Sequence, residues 1–281
     1  MFGFLNVYKP KGKTSHDVVA ILRRITKIKQ IGHTGTLDPF AEGVLPICIG
    51  KATRLIEYLN DDKAYIGTVQ LGSSTTTYDI EGEVVKTSPK KVSPEEIETE
   101  LKNFRGEIQQ LPPIYSAIKV NGKKLYEYAR KGEEVEIKPR NVVIEKLEIL
   151  NFDKEKQTIE LEIKCSKGTY IRSIANDLGE ALGTYGHLIK LVRIKAGDFE
   201  INDAIPLEKL DSDVEKYLIP PLEKFNYPTY ELNTEEKEKV SHGMSLNADL
   251  DDCIIILTYQ NQIAAVAEAK NKTLKCLKVF L

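Results

Sequence analysis

IELEIKCSKGTYIRSIANDLGEALG, residues 159–183, reads as a strand, a turn and a helix in immediate succession. Ile159, Leu161, Ile163 and Cys165 alternate with charged residues, the period-two pattern of a half-buried strand. After Gly168 the spacing changes. Ile171, Ile174, Ala175, Leu178 and Leu182 share one helical face, and Gly183 stops the helix. Tyr170 and Arg172 stand two apart at the junction, so they face the same way only where the backbone is still extended. A strand end running into the helix allows this, and Arg172 can then pair bidentately with a carboxylate while Tyr170 offers a ring face and a hydroxyl. A surface Arg beside a half-buried core Tyr is the plainer reading of the same spacing.

Working outward, helices and strands mix without a regular alternation. Thr14 or Ser15 can cap a helix carrying Val18, Ile21, Leu22, Ile25 and Ile28, with Asp17 in its first turn. Ser93-Pro94-Glu95-Glu96 sets a cap, a first-position proline and a third-position Glu before Ile97, Leu101 and Phe104. Tyr65, Gly67, Val69 and Leu71 share one face of a strand, and Val142–Leu150 makes another. The expected class is α+β with a mixed, largely antiparallel sheet. Past Pro220-Pro221 the pattern is one short helix (Thr234–Val240) and strand-like runs at Ile254–Leu257, Ile263–Ala269 and Leu274–Phe280, with a hairpin turn at Asn271-Lys272. That predicts a large body over 1–227 and a small β-rich domain over 228–281.

At 281 residues, with 41 % hydrophobic and 29 % charged residues, the chain has material for a real core. No run approaches the ~18 apolar residues of a membrane helix. The lysines near the start (Lys9, Lys11, Lys13) follow the apolar stretch, the wrong order for a signal peptide, so a cytoplasmic address is expected. The net charge of −2 hides two basic segments: residues 1–60 carry nine Lys/Arg against four Asp/Glu, and 119–140 carry seven against four. These are expected to lie on one side of the molecule. Cys48, Cys165, Cys253 and Cys276 are scattered, the four histidines are isolated, and no phosphate-binding glycine loop occurs. An enzyme of this composition is expected to work without metal or nucleotide cofactor.

Two further stretches carry candidate chemistry. Gly32-His33-Thr34-Gly35-Thr36-Leu37-Asp38-Pro39-Phe40-Ala41-Glu42-Gly43 is a shaped loop feeding the apolar run Val44–Gly50. Asp before Pro is an ordinary turn opener. A carboxylate at the mouth of a buried strand is also a candidate nucleophile or acid–base group, and it needs a partner to stay ionised. In 110–132, Pro112-Pro113 precedes Tyr115, Tyr126 and Tyr128 interleaved with Lys119, Lys123, Lys124 and Lys131. Lysines meet phosphates and tyrosines stack on bases, a mixture suited to looped RNA.

Together these segments resemble the TruB family of tRNA pseudouridine synthases. The resemblance rests on Asn6-Val7-Tyr8-Lys9-Pro10-Lys11-Gly12 with Thr14-Ser15, the loop Gly32–Gly43, and Leu71-Gly72 with Thr75, Thr77, Asp79 and Gly82. It extends through Pro112–Gly132, similar to the family's RNA-gripping thumb (about 112–140 here), and Gly168–Arg172. Residues 3–200 are covered continuously, and the tail resembles the family's short PUA-type RNA-binding domain.

The resemblance implies isomerisation of uridine 55 in the T-loop of tRNA to pseudouridine without cofactor; a monomer is the default expectation. Position by position it makes Asp38 the nucleophilic aspartate, Tyr65 the ring stacked on the target uracil, and Tyr170 and Arg172 the pair beside Asp38, with Arg172 its salt-bridge partner. Leu191 becomes an apolar wall, His33 the residue filling space left by the flipped base, and Lys9 a supporting lysine. One departure falls at Leu191-Val192-Arg193, where the family commonly has Leu-Arg-Arg. Asp38 can attack C1′, help remove the 2′ proton, or add to uracil C6; Tyr65 and Tyr170 are both candidates for the C5 proton transfer. A non-catalytic RNA binder, or a synthase guided by a separate RNA and partner proteins, would use the same cleft.

Overall fold

The apolar run after the Asp38 loop becomes an inner strand of a large mixed sheet. The computed structural model describes residues 1–281. The chain opens with β1 (Gly3–Lys9), α1 (Ser15–Thr26), β2 (Ile31–His33) and β3 (Glu42–Ile49). Seven of the eight β3 residues are buried, as befits a strand covered on both faces. Thr14 caps α1 reciprocally with Asp17: the Asp17 N–H donates to Thr14 Oγ1 (3.0 Å), and the Thr14 N–H to Asp17 Oδ2 (2.8 Å). Two details differ from the sequence reading. Lys27 turns into the left-handed region (φ 59°) and ends α1, so Ile28 packs on the same core from beyond the helix. Gly32 and His33 are not loop but pair with Cys48 and Ile47 of β3, leaving 34–41 as the irregular segment.

Next come β4 (Lys63–Leu71), the ribbon β5 (Ser73–Thr75) and β6 (Val84–Thr87), α2 (Pro94–Leu101) and β7 (Gly106–Gln110). The chain then leaves the sheet for an excursion containing β8 (Lys119–Val120), β9 (Lys123–Lys124) and α3 (Leu125–Lys131). It returns as β10 (Arg140–Asp153), β11 (Thr158–Cys165), α4 (Ile171–Ala181), β12 (Gly186–Ala196), β13 (Phe199–Glu200) and β14 (Ile205–Pro206). The main sheet runs β14-β1-β3-β12-β4-β11-β10-β7. Its pairs are antiparallel except β1·β14 and β3·β12. The strand–turn–helix read at 159–183 is therefore β11 running into α4, with Tyr170 extended (φ −101°, ψ 108°) as the residue before the helix.

Twenty-two buried side chains, among them Val69, Leu161, Ile174 and Leu178, form the core that binds α2 and α4 to this sheet. A second cluster packs Val18 and Leu22 of α1 on Leu5 and Leu45.

The tail folds as β15 (Thr229–Glu231), α5 (Thr234–Ser241), β16 (Leu246–Asn247), β17 (Cys253–Tyr259), β18 (Gln262–Lys270) and β19 (Thr273–Val279), in sheet order β15-β17-β18-β19-β16. Asn271 and Lys272 both take positive φ (50° and 59°), the two-residue turn whose twist suits a hairpin. The two sheets share a core: Phe4, Val44 and Phe199 pack with Ile256, Val266 and Phe280. Lys51 Nζ donates to the Phe280 carbonyl (2.6 Å) and Arg54 Nη1 to that of Val279 (2.8 Å), fastening the tail to the body. No helix is long and apolar enough to cross a membrane.

Candidate active site

Asp38 sits in a segment whose backbone is held on both sides. Gly43, where β3 begins, has φ +106°, and a Cβ there would stand 2.3 Å from the Arg193 carbonyl. Only glycine lets β3 and β12 approach so closely. The Arg193 side chain then turns back under the loop. Its Nε donates to the Val44 carbonyl (2.7 Å), Nη2 to that of Gly35 (3.1 Å) and Nη1 to that of Thr36 (3.3 Å). Ser15 takes the next residue, with its Oγ accepting from the Leu37 N–H (2.8 Å) and donating to the Leu37 carbonyl (3.2 Å). Past Asp38, the Pro39 carbonyl accepts from the Gly12 N–H (2.8 Å) and from Lys9 Nζ (3.4 Å). The aspartate is thus positioned before any ligand arrives.

Arg172 closes on it from α4. Nε meets Asp38 Oδ2 at 2.9 Å and Nη2 meets Oδ1 at 3.3 Å, a two-pronged pair. Nη1 reaches Asp79 Oδ2 (3.3 Å) and the Thr77 carbonyl (3.1 Å), and Nη2 also reaches the Tyr115 carbonyl (3.1 Å). Three of these contacts are hydrogen bonds, to Asp38 Oδ1 and the carbonyls of Thr77 and Tyr115, and the other two are ion pairs to the carboxylates. One side chain therefore joins the Asp38 loop, the turn after β5, and the start of the excursion. Asp79, which the sequence offers only as part of a strand-and-turn motif, is a second carboxylate of this cluster, held by Thr77 Oγ1 (2.6 Å) and the Glu81 N–H (3.0 Å).

A cavity of about 470 Å³ opens over Asp38, with Tyr65, Leu191, Tyr170, Ile171 and Arg172 in its lining. Tyr65 comes from β4, opposite Arg193 of β12 on one side and Ile163 of β11 on the other. Leu191, two residues before Arg193, projects from the same face of β12. The change at Val192 in the sequence thus leaves both flanking positions in place. Tyr170 is set by Gln110, whose Oε1 accepts from the Tyr170 N–H (2.7 Å) and whose Nε2 donates to the Tyr170 carbonyl (3.0 Å). Gln110 and Arg193 are buried polar residues with long-range backbone partners, and no spacing in the sequence marks them.

His33 and Lys9 do not line this cavity. His33 ends β2 just before the loop, its Nδ1 buried without a partner. Lys9 is fully buried beneath the loop, donating also to the carbonyls of Lys13 (2.6 Å) and Pro10 (3.1 Å). Both basic segments reach the cavity, through residues 34–38 and Tyr126, yet the lysines in its lining, Lys63 and Lys167, belong to neither. Tyr126 carries its own cations, with Arg130 5.3 Å and Lys124 5.5 Å from the ring centre.

Charge balance around Asp38 is set by burial first. Desolvation pushes its carboxyl above the ordinary aspartate value and the Asp79 charge adds to this, while Arg172 and Lys9 pull it down. Burial pushes the Tyr65 phenol up to about 12 and raises that of Tyr170, so both rings stay protonated near neutral pH. Burial and Arg193 lower His33, and burial lowers Lys9 to about 8. Asp38 is the only carboxylate lining the cavity.

Comparison with known proteins identifies the family. Residues 23–171 match the model of the TruB family pseudouridylate synthase N-terminal domain, and 172–224 that of the tRNA pseudouridylate synthase B C-terminal domain. Both matches end before the second sheet. The chain is 43 % identical to tRNA pseudouridine synthase B of Geobacillus thermodenitrificans, with all of both chains covered. It is 47 % identical to the same-named protein of Caldanaerobacter subterraneus subsp. tengcongensis, over 86 % of this chain and 85 % of that one. Among solved structures, a Cbf5–Nop10–Gar1 complex matches with TM-score 0.73 and 26 % identity, covering 100 % of this chain and 85 % of that one. An H/ACA RNP bound to a substrate RNA containing 2′-deoxyuridine shares the fold at TM-score 0.72 and 24 % identity, with the same coverage. The two family-model matches, together with relatives 43 % and 47 % identical over most of both chains, place the chain in the TruB family of pseudouridylate synthases.

Proposed function

We propose that this protein isomerises uridine 55 in the T-loop of tRNA to pseudouridine, as a cytoplasmic monomer and without cofactor. The observation that carries the reading is the Asp38–Arg172 pair at the floor of a cavity walled by Tyr65, Tyr170 and Leu191. The names of the relatives supply the substrate. A base in a folded loop must leave its stack first, at a cost of a few kcal/mol, and stacking on Tyr65 returns about 1–3 kcal/mol of it. The C1′–N1 bond then breaks, the uracil turns within the enclosed space, and C5 joins C1′.

In this reading Asp38 carries the covalent or proton-transfer step, Arg172 keeps it ionised against its burial, Leu191 walls the base, Lys9 supports the loop from below, and His33 fills space the base vacates. Tyr65 and Tyr170 offer ring faces and hydroxyls to the base, and both are candidates for the proton transfer from C5. We take 1–227 as the catalytic unit, with 112–140 as its RNA-gripping thumb and 228–281 as a PUA-like RNA-binding domain. Tritium release from C5-labelled tRNA transcript by the purified protein alone tests the reading. Release is expected with uridine at position 55 and absent when that position is cytidine. An inactive protein that gains activity only with a guide RNA and partner proteins, as the Cbf5 likeness would favour, would overturn it.

A further inference from the structure

Antiparallel pairing brings two lysines to one end of the main sheet. Lys63 opens β4, and its partner on β11 is Cys165, two residues before Lys167. Both lysines line the cavity over Asp38, together with Gly35, Gly168 and Thr169. Besides Arg172, which is taken up by Asp38 and Asp79, they are the only cations in that lining. The turn carrying Lys167 is fixed. The Ser166 N–H donates to the Val143 carbonyl (2.9 Å), Ser166 Oγ accepts from the Val143 N–H (2.9 Å), and Thr169 Oγ1 donates to the Ser166 carbonyl (2.9 Å). Lys63 is placed by a close approach: a Cβ at Gly35 would stand 3.4 Å from Lys63 Cε and 3.8 Å from Arg193 Nη1. The lysine stem therefore lies against the Asp38 loop.

One acidic residue joins the two. Asp61 accepts from Lys63 Nζ through its backbone carbonyl (2.7 Å) and pairs through Oδ2 with Lys167 Nζ (3.1 Å). Lys63 has two further N–H groups to offer. Burial lowers its pKa, Arg193 adds to this, and the Asp61 charge opposes both. An anion arriving from the cavity side would act in the same sense as Asp61. The Lys167–Asp61 pair is open to solvent, with side chains 73 % and 50 % exposed, and such pairs are held weakly. A more highly charged anion can therefore take Lys167 from Asp61.

We infer that Lys63 and Lys167 form a phosphate subsite for one phosphodiester flanking the target uridine, and that Asp61 is the internal anion this phosphate displaces. The inference rests on the uridine isomerisation read above. Lys63 and Tyr65 share a face of β4, two residues and about 6.5 Å apart along the strand. A uridine with its base against Tyr65 and its C1′ at Asp38 keeps its two phosphates at the mouth of the cavity, where these ammonium groups stand. Binding is an exchange of ion pairs and changes no covalent bond. Lys167 leaves the Asp61 carboxylate for a phosphate oxygen, and Lys63 adds that phosphate to the carbonyl it already meets. Arg172 holds the reacting carboxylate, and the two lysines hold the strand that must be brought to it.

Binding of tRNA assembled with one uncharged methylphosphonate linkage, either 5′ or 3′ to uridine 55, tests this. The protein carries Asp38→Asn so that the RNA is not converted. One of the two replacements is expected to weaken binding about 5- to 10-fold. The same replacement is expected to cost Lys63→Met or Lys167→Met no more than about twofold, because the partner of that phosphate is already gone. On unmodified tRNA each methionine variant is expected to bind more weakly and to lower the slope of log Kd against log salt by about one. Asp61→Asn, relieved of the internal anion, is expected to bind about threefold more tightly. Methionine variants as sensitive to the uncharged linkage as the Asp38→Asn protein overturn the inference, as does an Asp61→Asn variant that binds more weakly. Indifference of the Asp38→Asn protein to both linkages also overturns it, while leaving the functional reading intact if the parent releases tritium from C5-labelled tRNA. A parent that releases none overturns the functional reading, and this inference with it.

Discussion

Two buried arginines hold the Asp38 loop, and they do so in opposite ways. Arg172 sits between two carboxylates, Asp38 and Asp79, and fills its remaining N–H groups with carbonyls. Arg193 is 0 % exposed and donates to the carbonyls of Val44, Gly35 and Thr36, with the Tyr65 phenol beside it and no carboxylate in ion-pair reach. Buried charges are usually paired. The positive charge of Arg193 is therefore left to its surroundings, and it lowers His33, Lys63 and Lys9, in each case after burial itself. Arg172 uses its charge locally on the Asp38 carboxylate. Arg193 builds the loop and leaves the cavity wall positive, which suits a polyanionic substrate.

Asp38→Asn gives the largest effect expected. It keeps the loop and the shape of the cavity but removes the group that reacts, so turnover should vanish while tRNA binding survives. Appreciable pseudouridine formation by this variant, read by nuclease digestion and chromatography, would sink the assignment. The two arginines are next compared by one identical change. Arg172→Lys cannot span Asp38, Asp79, Thr77 and Tyr115 with three donors, and turnover should drop about 100- to 1000-fold. Arg193→Lys also keeps the charge, but leaves carbonyls of the loop unmet. It should cost about 2 kcal/mol, or roughly 4–8 °C in midpoint, with turnover at low temperature within about tenfold of the parent. Equal loss of turnover in both variants would erase the distinction between them.

The sequence makes the elements legible and leaves the partnerships hidden. Period-two and helical spacing locate β11 and α4 correctly, the Thr14–Asp17 cap is visible as residue types, and an extended junction at Tyr170 is the condition the spacing sets for Tyr170 and Arg172 to share a face. Each is a local fact, decided within a few residues. Arg172 meeting Asp38 across 134 positions is not local, and its placement came from resemblance. Asp79, Gln110 and Arg193 show the limit better. Their types are common, and their partners are distant: Gln110 meets the Tyr170 peptide and Asp79 meets Arg172 across the fold, while those of Arg193 depend on which strand β12 lies beside and where its register shifts, between Leu188 and Lys190 and between Arg193 and Lys195. Such register shifts re-aim side chains and leave no periodic signature.

Asp79 sharpens the electrostatic half of the comparison. Burial and Asp79 both raise the Asp38 carboxyl. Activity that needs the carboxylate is lost as pH falls through this raised value, so the acid limb should lie above the ordinary aspartate value of about 4. Asp79→Asn removes one of the charges holding it up. The limb should then move to lower pH, although the plateau rate falls as Arg172 loses a partner. A limb that stays in place or moves up, in single-turnover rates from pH 3.5 to 8, would mean that Asp79 serves geometry alone.

Lys9 provides the smallest test and the third way of holding the same loop. Like Arg193 it is buried against carbonyls, those of Pro10, Lys13 and Pro39. Unlike either arginine, it can give up its proton. Burial lowers it from 10.5 to about 8 in the folded protein, so between those values the unfolded chain binds more protons than the folded one. Stability from this group must therefore rise with pH across that window, the reverse of a lysine that gains an ion pair. Raised tyrosines such as Tyr65 act in the opposite sense at higher pH, and they are common to parent and variant. The difference between parent and Lys9→Met, followed by denaturant unfolding from pH 8 to 9.5, isolates Lys9. The parent should gain about 1.5 kcal/mol relative to the variant over that range. A flat difference would show that the ammonium is held as firmly as a guanidinium, and that what separates Arg193 from Lys9 is shape and not the ability to discharge.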